Sequence, residues 1–220
     1  MGIQIDPKLN FKYHLSLLNT KLSKALYFLR QAKFLLSTKG LKSIYYSLFH
    51  SHLVYCNIIW SSAKANILNP IFIKQKAAVR IVCNAKYNSH TEPLFKTAKI
   101  LPLPKLSMFF KLQYFQRFTQ GFTPAALIDT WIKNRDRPHT GGQNLRNSED
   151  IFLPVSRLSH FENFPFYSIP KVWINFPNEN IKILRNKLEF NFKLKTFLLS
   201  ELNSNYICNR LICPFCTLNA

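Results

Sequence analysis

Leucines recur at three- and four-residue steps near the start of the chain. They are Leu15, Leu18, Leu22, Leu26 and Leu29. This spacing puts them on one face of an α-helix, with Lys21 and Lys24 on a polar flank. The pattern predicts an amphipathic helix over residues 12–36.

The same periodicity predicts helices over residues 39–62, 67–84, 92–99, 104–121 and 178–205. Ile3 and Ile5 instead alternate with a polar residue, as in a strand, and Asp6-Pro7 ends that pattern. A second short strand is indicated at residues 151–155. The predicted fold class is mainly α: a basic helical bundle, an N-terminal strand, a polar linker and a smaller C-terminal helical segment.

Positive charge is concentrated in the first half of the chain. The whole sequence has 30 Lys plus Arg against 10 Asp plus Glu, a net charge of +20. Residues 1–118 hold 18 of these cations and only two acids, Asp6 and Glu92. Such a segment repels itself unless a polyanion binds it, so nucleic acid is the first expected partner and an anionic membrane surface the second.

Residues 43–63 contain no Lys, Arg, Asp or Glu and are long enough to cross a bilayer. They also contain His50, His52, Asn57 and several serines, which favour a buried helix of a soluble protein. A buried helix is therefore the favoured interpretation of this stretch over a membrane span.

The cysteines indicate a reduced environment. Five cysteines at wide spacings, with no signal peptide, predict free thiols in an intracellular protein of the cytoplasm or nucleus, not a secreted one. Cys208, Cys213 and Cys216 supply at most part of a zinc site, whose fourth ligand would have to come from a distant residue such as His160. Free thiols in a tail are the simpler interpretation, so no metal site is predicted.

Signatures of catalysis are missing from the sequence. Glu149-Asp150 is the one adjacent pair of carboxylates, and it lies in a polar stretch typical of a linker. Neither a glycine-rich phosphate loop nor a Gly-x-Ser-x-Gly motif occurs. We predict no catalytic residue in this chain.

Four stretches resemble a known family when taken together. "KQKAAVRIVCNAKYNSHTEPLFKTAKIL" (74–101) is similar to the segment that follows the polymerase core in jockey-like non-long-terminal-repeat retrotransposons (LINE elements), where L-Q-K-K-A-x-R-x-I precedes H-T-x-P-L-F. "GIQID" with "LNFKYHL", "SLFHSHLVYCNIIW" and "FYSIPKVWINFPNEN" resemble other motifs of that family, in the family's order, over about residues 2–200. Two positions differ: Met1 replaces the usual Leu, and Ile169 replaces the Gly that makes a tight turn before Pro-Lys.

The resemblance implies the C-terminal part of a reverse transcriptase, an RNA-directed DNA polymerase. It implies a residual palm strand and turn (1–10), a basic helical thumb-like domain (11–121), a linker with a short strand (122–165), a helical connection segment (166–205) and a Cys-containing tail (206–220). Asp6 matches a palm Asp that is not a metal ligand. The parent enzyme would need Mg²⁺ held by paired carboxylates, and we expect no cofactor in this chain.

From charge and resemblance together, the sequence predicts a catalytically incomplete fragment that holds template–primer nucleic acid by phosphate contacts. The residues assigned to these contacts are Lys21, Lys24, Lys74, Lys76 and Arg80. The expected partners are an RNA or RNA–DNA duplex and the missing polymerase core. Residues 2–5 should be poorly anchored. A non-functional relic of a decayed element and a basic membrane-associated helical protein stay open as alternatives.

Overall fold

The fold was analysed in a computed structural model, which describes residues 2–122, 131–134 and 151–203. The chain is mainly helical, as the periodicity predicts. The helices are α1 (Lys12–Ala32), α2 (Thr38–Ile44), a π-helical segment (Tyr45–His50), α3 (Ser51–Val54), α4 (Asn57–Trp60), α5 (Ala65–Val82), α6 (Thr91–Ala98), α7 (Leu103–Thr119), α8 (Ser159–Asn163), α9 (Pro165–Ile174), α10 (Glu179–Lys182) and α11 (Lys187–Ser200), followed by a 3₁₀ turn (Glu201–Asn203).

The chain divides into two compact units. Unit 1 comprises Met1–Phe109 with Phe192–Ala220, and unit 2 comprises Phe110–Asn191. The boundaries lie within α7 and α11, so each of these helices contributes to both units. The five segments expected from the sequence stay a prediction.

The centre of unit 1 is the packing of α1 against α5. All five leucines of the predicted stripe in α1 are buried. The face that α5 buries includes Leu68, Ile71, Ala78, Val79 and Val82. The hydrophobic effect therefore joins two helices that lie far apart in the sequence. Helix α1 ends at Ala32, short of the predicted residue 36, and the side chains of Phe34 and Leu35 are exposed.

Gln75 is a fully buried polar residue in the middle of this apolar face. Its Nε2 donates to the hydroxyl of Tyr45 at 3.1 Å and to the carbonyl of Leu101 at 2.9 Å. Its Oε1 accepts the backbone N–H of Leu103 at 2.7 Å. One side chain thus satisfies three polar groups, and it fixes both the π-helical segment and the start of α7 against α5.

The prediction of a single helix over residues 39–62 is wrong in its second half. The backbone leaves the helix at Tyr55, and Cys56 adopts the left-handed region with a φ of 51°. The interruption lets the indole of Trp60 turn inward, where it is fully buried and donates Nε1–H to the carbonyl of Tyr55 at 2.7 Å. Burial of the largest side chain therefore outweighs the helical propensity of this stretch.

Helix α9 contains Pro170 and is not one of the helices that the periodicity predicts, although it lies largely within the segment that the resemblance describes as helical. Proline lacks an N–H, so the carbonyl four residues earlier loses its helical partner. That carbonyl belongs to Phe166, and the indole N–H of Trp131 donates to it at 2.7 Å. Pro170 is thus accommodated within a helix of unit 2, and Ile169 before it is buried in that helix rather than in a tight turn.

Trp131 is also part of the aromatic core of unit 2. Its ring centroid lies 5.4 Å from that of Phe115 and 4.9 Å from that of Phe118. The ring of Trp173 from α9 packs at a tilt against Phe115, with centroids 5.0 Å apart. Aromatic contacts therefore hold together elements of unit 2 that the sequence separates widely.

The predicted helix over residues 178–205 is divided in two. It is interrupted between α10 and α11, where Asn186 Oδ1 accepts the backbone N–H of Leu188 at 2.9 Å. An Asn side chain that satisfies the first free N–H groups of a helix favours a new start at this point. The carbonyl of Leu184 just before it accepts Gln116 Nε2 at 2.8 Å.

Neither predicted strand forms in the described part of the chain. Residues 2–5 have no strand pairing; Gln4 donates its backbone N–H to His14 Nδ1 over a long 3.4 Å, and Ile5 is exposed. At residues 151–155 the pairing amounts to one antiparallel bridge between Lys133 and Ile151. An isolated strand is not stable without further partners.

Asp6 organises the turn that leads into α1. Its carboxylate accepts the backbone N–H groups of Asn10 at 3.1 Å and Phe11 at 2.7 Å. Burial alone would raise the pKa of Asp6, but these hydrogen bonds outweigh it and the pKa lies below its usual value. Phe11, at the end of this turn, is buried with a φ of 55°.

We predict that Gln75→Met destabilises the fold by about 2–4 kcal/mol, because Leu101, Leu103 and Tyr45 then keep buried polar groups without partners. Urea denaturation measures the change. The matched control is Gln31→Met, which alters an exposed glutamine of α1 and should change stability by less than about 0.5 kcal/mol. Equal losses in the two variants would contradict the role given to Gln75.

We predict that Asp6→Asn destabilises the protein at pH 7 and that this difference shrinks in acid. A carboxyl group with a lowered pKa in the folded state adds stability above its unfolded pKa, and this stability is lost as pH falls through the folded pKa. Urea titrations at pH 7 and near pH 3 measure the difference. A gap between the two proteins that does not depend on pH would refute the assignment.

Candidate nucleic-acid interface

Lys74 lies at the seam between α5 and α1. Its ammonium group donates to the carbonyl of Asn19 at 2.7 Å and to the hydroxyl of Ser23. Partial burial lowers the pKa of Lys74. The charge of Lys74 is therefore next to α1, where it also stabilises the contact between the two helices.

Lys21 lies on the other flank of α1. Lys21 precedes Ser23, the residue of α1 that Lys74 contacts, by two positions. Two positions along a helix rotate the side-chain direction by about 200°, so the two side chains point to opposite flanks. The pKa values of His14 and His52 are both lowered, mainly by burial and additionally by the positive charge of Lys21. Lys24 is exposed on the outer surface of the same helix.

Lys76 and Arg80 lie one helical turn apart on the side of α5 that faces α6. The ammonium group of Lys76 is 4.4 Å from the ring centroid of Phe72, which in turn stacks with Phe95 of α6 at 6.4 Å. Arg80 donates its Nε–H to the carbonyl of Ser89 at 2.9 Å. Arg80 therefore holds the loop between α5 and α6 in addition to carrying charge.

The structure thus separates the five predicted cations into groups. Lys74 lies on one flank of α1, Lys21 on the other and Lys24 outside, while Lys76 and Arg80 share a side of α5. Lys and Arg bind phosphate oxygens through charge-assisted hydrogen bonds, which carry no information about base sequence. This arrangement can contact a phosphate backbone at several points rather than through one compact patch.

One further lysine near this region was not singled out by the sequence. The Nζ of Lys195 on α11 lies 5.9 Å from the ring centroid of Tyr46, whose hydroxyl donates to the backbone carbonyl of Lys99 at 3.4 Å. The sequence spacing gives no hint of this contact, because it joins α11 to the distant π-helical segment.

The described residues show neither a grouping of metal ligands nor a membrane-spanning helix. Within residues 2–122, 131–134 and 151–203, no three His, Cys, Asp or Glu side chains are grouped so that they could hold a metal ion. In these residues no helix combines the length and the apolar character needed to cross a bilayer. Cys56 and Cys83 are free thiols. Cys208, Cys213 and Cys216 lie outside the described residues.

We predict that Arg80→Lys separates the two roles of Arg80. The substitution keeps the charge but removes the Nε–H that binds Ser89, at a cost of about 1 kcal/mol. Amide hydrogen exchange over residues 84–90 should accelerate, while the salt dependence of nucleic-acid binding stays unchanged. Lys76→Arg is the control, since it keeps the cation over Phe72, and it should leave exchange in the loop as it was. Unaltered exchange in Arg80→Lys would contradict the tether.

The chain was compared with known proteins at three levels. No protein-family profile, curated protein or solved structure matches it. Any functional conclusion therefore depends on the four sequence motifs and on the chemistry of the residues described above.

Proposed function

We propose that this chain is the end of the palm, the thumb and the connection of a jockey-like LINE reverse transcriptase, and that it binds template–primer nucleic acid through phosphates. The observation that carries the proposal is the imbalance of 18 Lys plus Arg against two acids in residues 1–118. The order of the four motifs and the mainly helical fold support it.

The proposed binding is electrostatic and independent of base sequence. A duplex carries about one negative charge per 1.7 Å of its axis, and every phosphate that a cation neutralises releases condensed counterions. The exposed Lys24 is best placed for a direct phosphate contact. Lys74 is bonded to α1, so it contributes to the positive potential more than to direct contacts.

Polymerisation itself is assigned to other parts of the parent enzyme. Reverse transcription needs divalent metal ions held between carboxylates, which orient the attacking and leaving oxygens. Asp6 does not offer such a site, because its two oxygens accept backbone N–H groups. The role we propose for this chain is to hold and orient the duplex.

We predict that the affinity of the chain for an RNA–DNA duplex falls steeply with salt, and that the slope falls when the cations are removed. Fluorescence anisotropy with a labelled hybrid duplex measures log K against log salt. Lys21→Gln/Lys24→Gln and Lys76→Gln/Arg80→Gln should each reduce the slope by about 0.7–0.9 for every phosphate that is no longer neutralised.

The control is Arg185→Gln/Lys187→Gln, which removes the same charge from exposed positions of unit 2. It should leave the slope near that of the unaltered chain. Binding that does not respond to salt, or a control that lowers the slope as much as the other two double variants, would overturn the proposal.

A further inference from the structure

Three aromatic side chains are exposed on the outer face of α1, the side that lies away from its buried leucines. Tyr13, Tyr27 and Phe28 have 63%, 58% and 57% of their surface exposed. The helical rise puts Tyr13 and Tyr27 about 21 Å apart along the axis, and the helical turn keeps the three rings within about 100° of arc. Exposed apolar side chains that share one face are typical of a contact surface.

Tyr27 and Phe28 form a pair of rings towards the C-terminal end of this face. Their ring centroids lie 6.0 Å apart, and the two ring planes are inclined at 67°. Lys24 is exposed three and four positions earlier, a spacing that makes it a neighbour of both rings on the helix surface. The outer face therefore places two aromatic rings beside an ammonium group.

Positive charge on this helix is not balanced by any acid nearby in the sequence. The cations of α1 are Lys12, Lys21, Lys24 and Arg30, and no Asp or Glu occurs in residues 7–91. A polyanion is thus the partner whose charge complements the face. A lipid surface fits less well, because a membrane-surface helix inserts its apolar stripe, and α1 buries its leucine stripe inside the protein.

We propose that the outer face of α1 binds single-stranded nucleic acid by stacking unpaired bases on Tyr27 and Phe28 while Lys24 contacts the phosphates. Aromatic rings beside cations suit a single strand, because each base has a π-face and each phosphate a negative charge. Bases of a duplex are stacked on one another, so only an unpaired strand offers free faces. The inference rests on the proposed function, since the same positive charge attracts either form, and it adds a place for unpaired bases.

Three probes test this face by fluorescence anisotropy at constant ionic strength. They are a short oligothymidylate, an abasic strand with the same number of phosphates, and the hybrid duplex. The variant is Tyr27→Leu/Phe28→Leu, which keeps apolar side chains and helix propensity but removes the rings. The control is Tyr87→Leu/Phe192→Leu, which removes the same two kinds of ring from exposed positions elsewhere in unit 1. Circular dichroism verifies that both variants keep the helical content of the unaltered chain.

We expect Tyr27→Leu/Phe28→Leu to bind oligothymidylate at least about fivefold more weakly than the unaltered chain does, which is the lower end of the effect of losing one stacked base. Its affinities for the abasic strand and for the hybrid duplex should stay the same, because neither probe offers free bases. The control should bind all three probes as the unaltered chain does.

Three results would overturn the inference while leaving salt-dependent duplex binding, and so the proposed function, intact. They are unchanged oligothymidylate binding in Tyr27→Leu/Phe28→Leu, an equal loss in the control, and equal affinity of the unaltered chain for oligothymidylate and the abasic strand. In the first case, displacement of the strand by phosphatidylserine vesicles would assign the face to an anionic membrane, since leucines preserve such a contact. Failure of the unaltered chain to bind any of the three probes would overturn the inference and the proposed function together.

Discussion

Unit 1 depends on the side chain of Gln75, which is buried on α5 and uses its amide to bind three polar groups, those of Tyr45, Leu101 and Leu103. An apolar residue there would leave the carbonyl of Leu101 and the N–H of Leu103 without partners in the interior, at a large cost in free energy. The π-helical segment and the start of α7 are therefore both held against α5.

Two tryptophans explain where the chain departs from simple helical geometry. Trp60 donates its indole N–H to the carbonyl of Tyr55, where the backbone breaks, and Trp131 donates to the carbonyl of Phe166, which Pro170 leaves without a helical partner. In both cases a large ring is buried and its one polar group is satisfied by a carbonyl that regular helix geometry has released. The irregularities are thus consequences of burying aromatic side chains.

The candidate interface combines charge with internal structure. Lys74 and Arg80 each bind a backbone carbonyl of the protein, while Lys24 is exposed to solvent. The sequence alone does not distinguish these residues, because it does not show which ammonium or guanidinium groups are already hydrogen-bonded. The structure distinguishes them, and it places Lys195 of α11 beside the ring of Tyr46.

The sequence by itself determined the helical class, the stripe of leucines in α1, the position of α5 and the concentration of positive charge, because these features depend on local periodicity and composition. Only the tertiary structure decided where helices break, how Pro170 fits within α9 and which cations are hydrogen-bonded within the protein. The physical reason is that these outcomes depend on hydrogen bonds and charge interactions between residues far apart in the sequence. No local pattern encodes such partners.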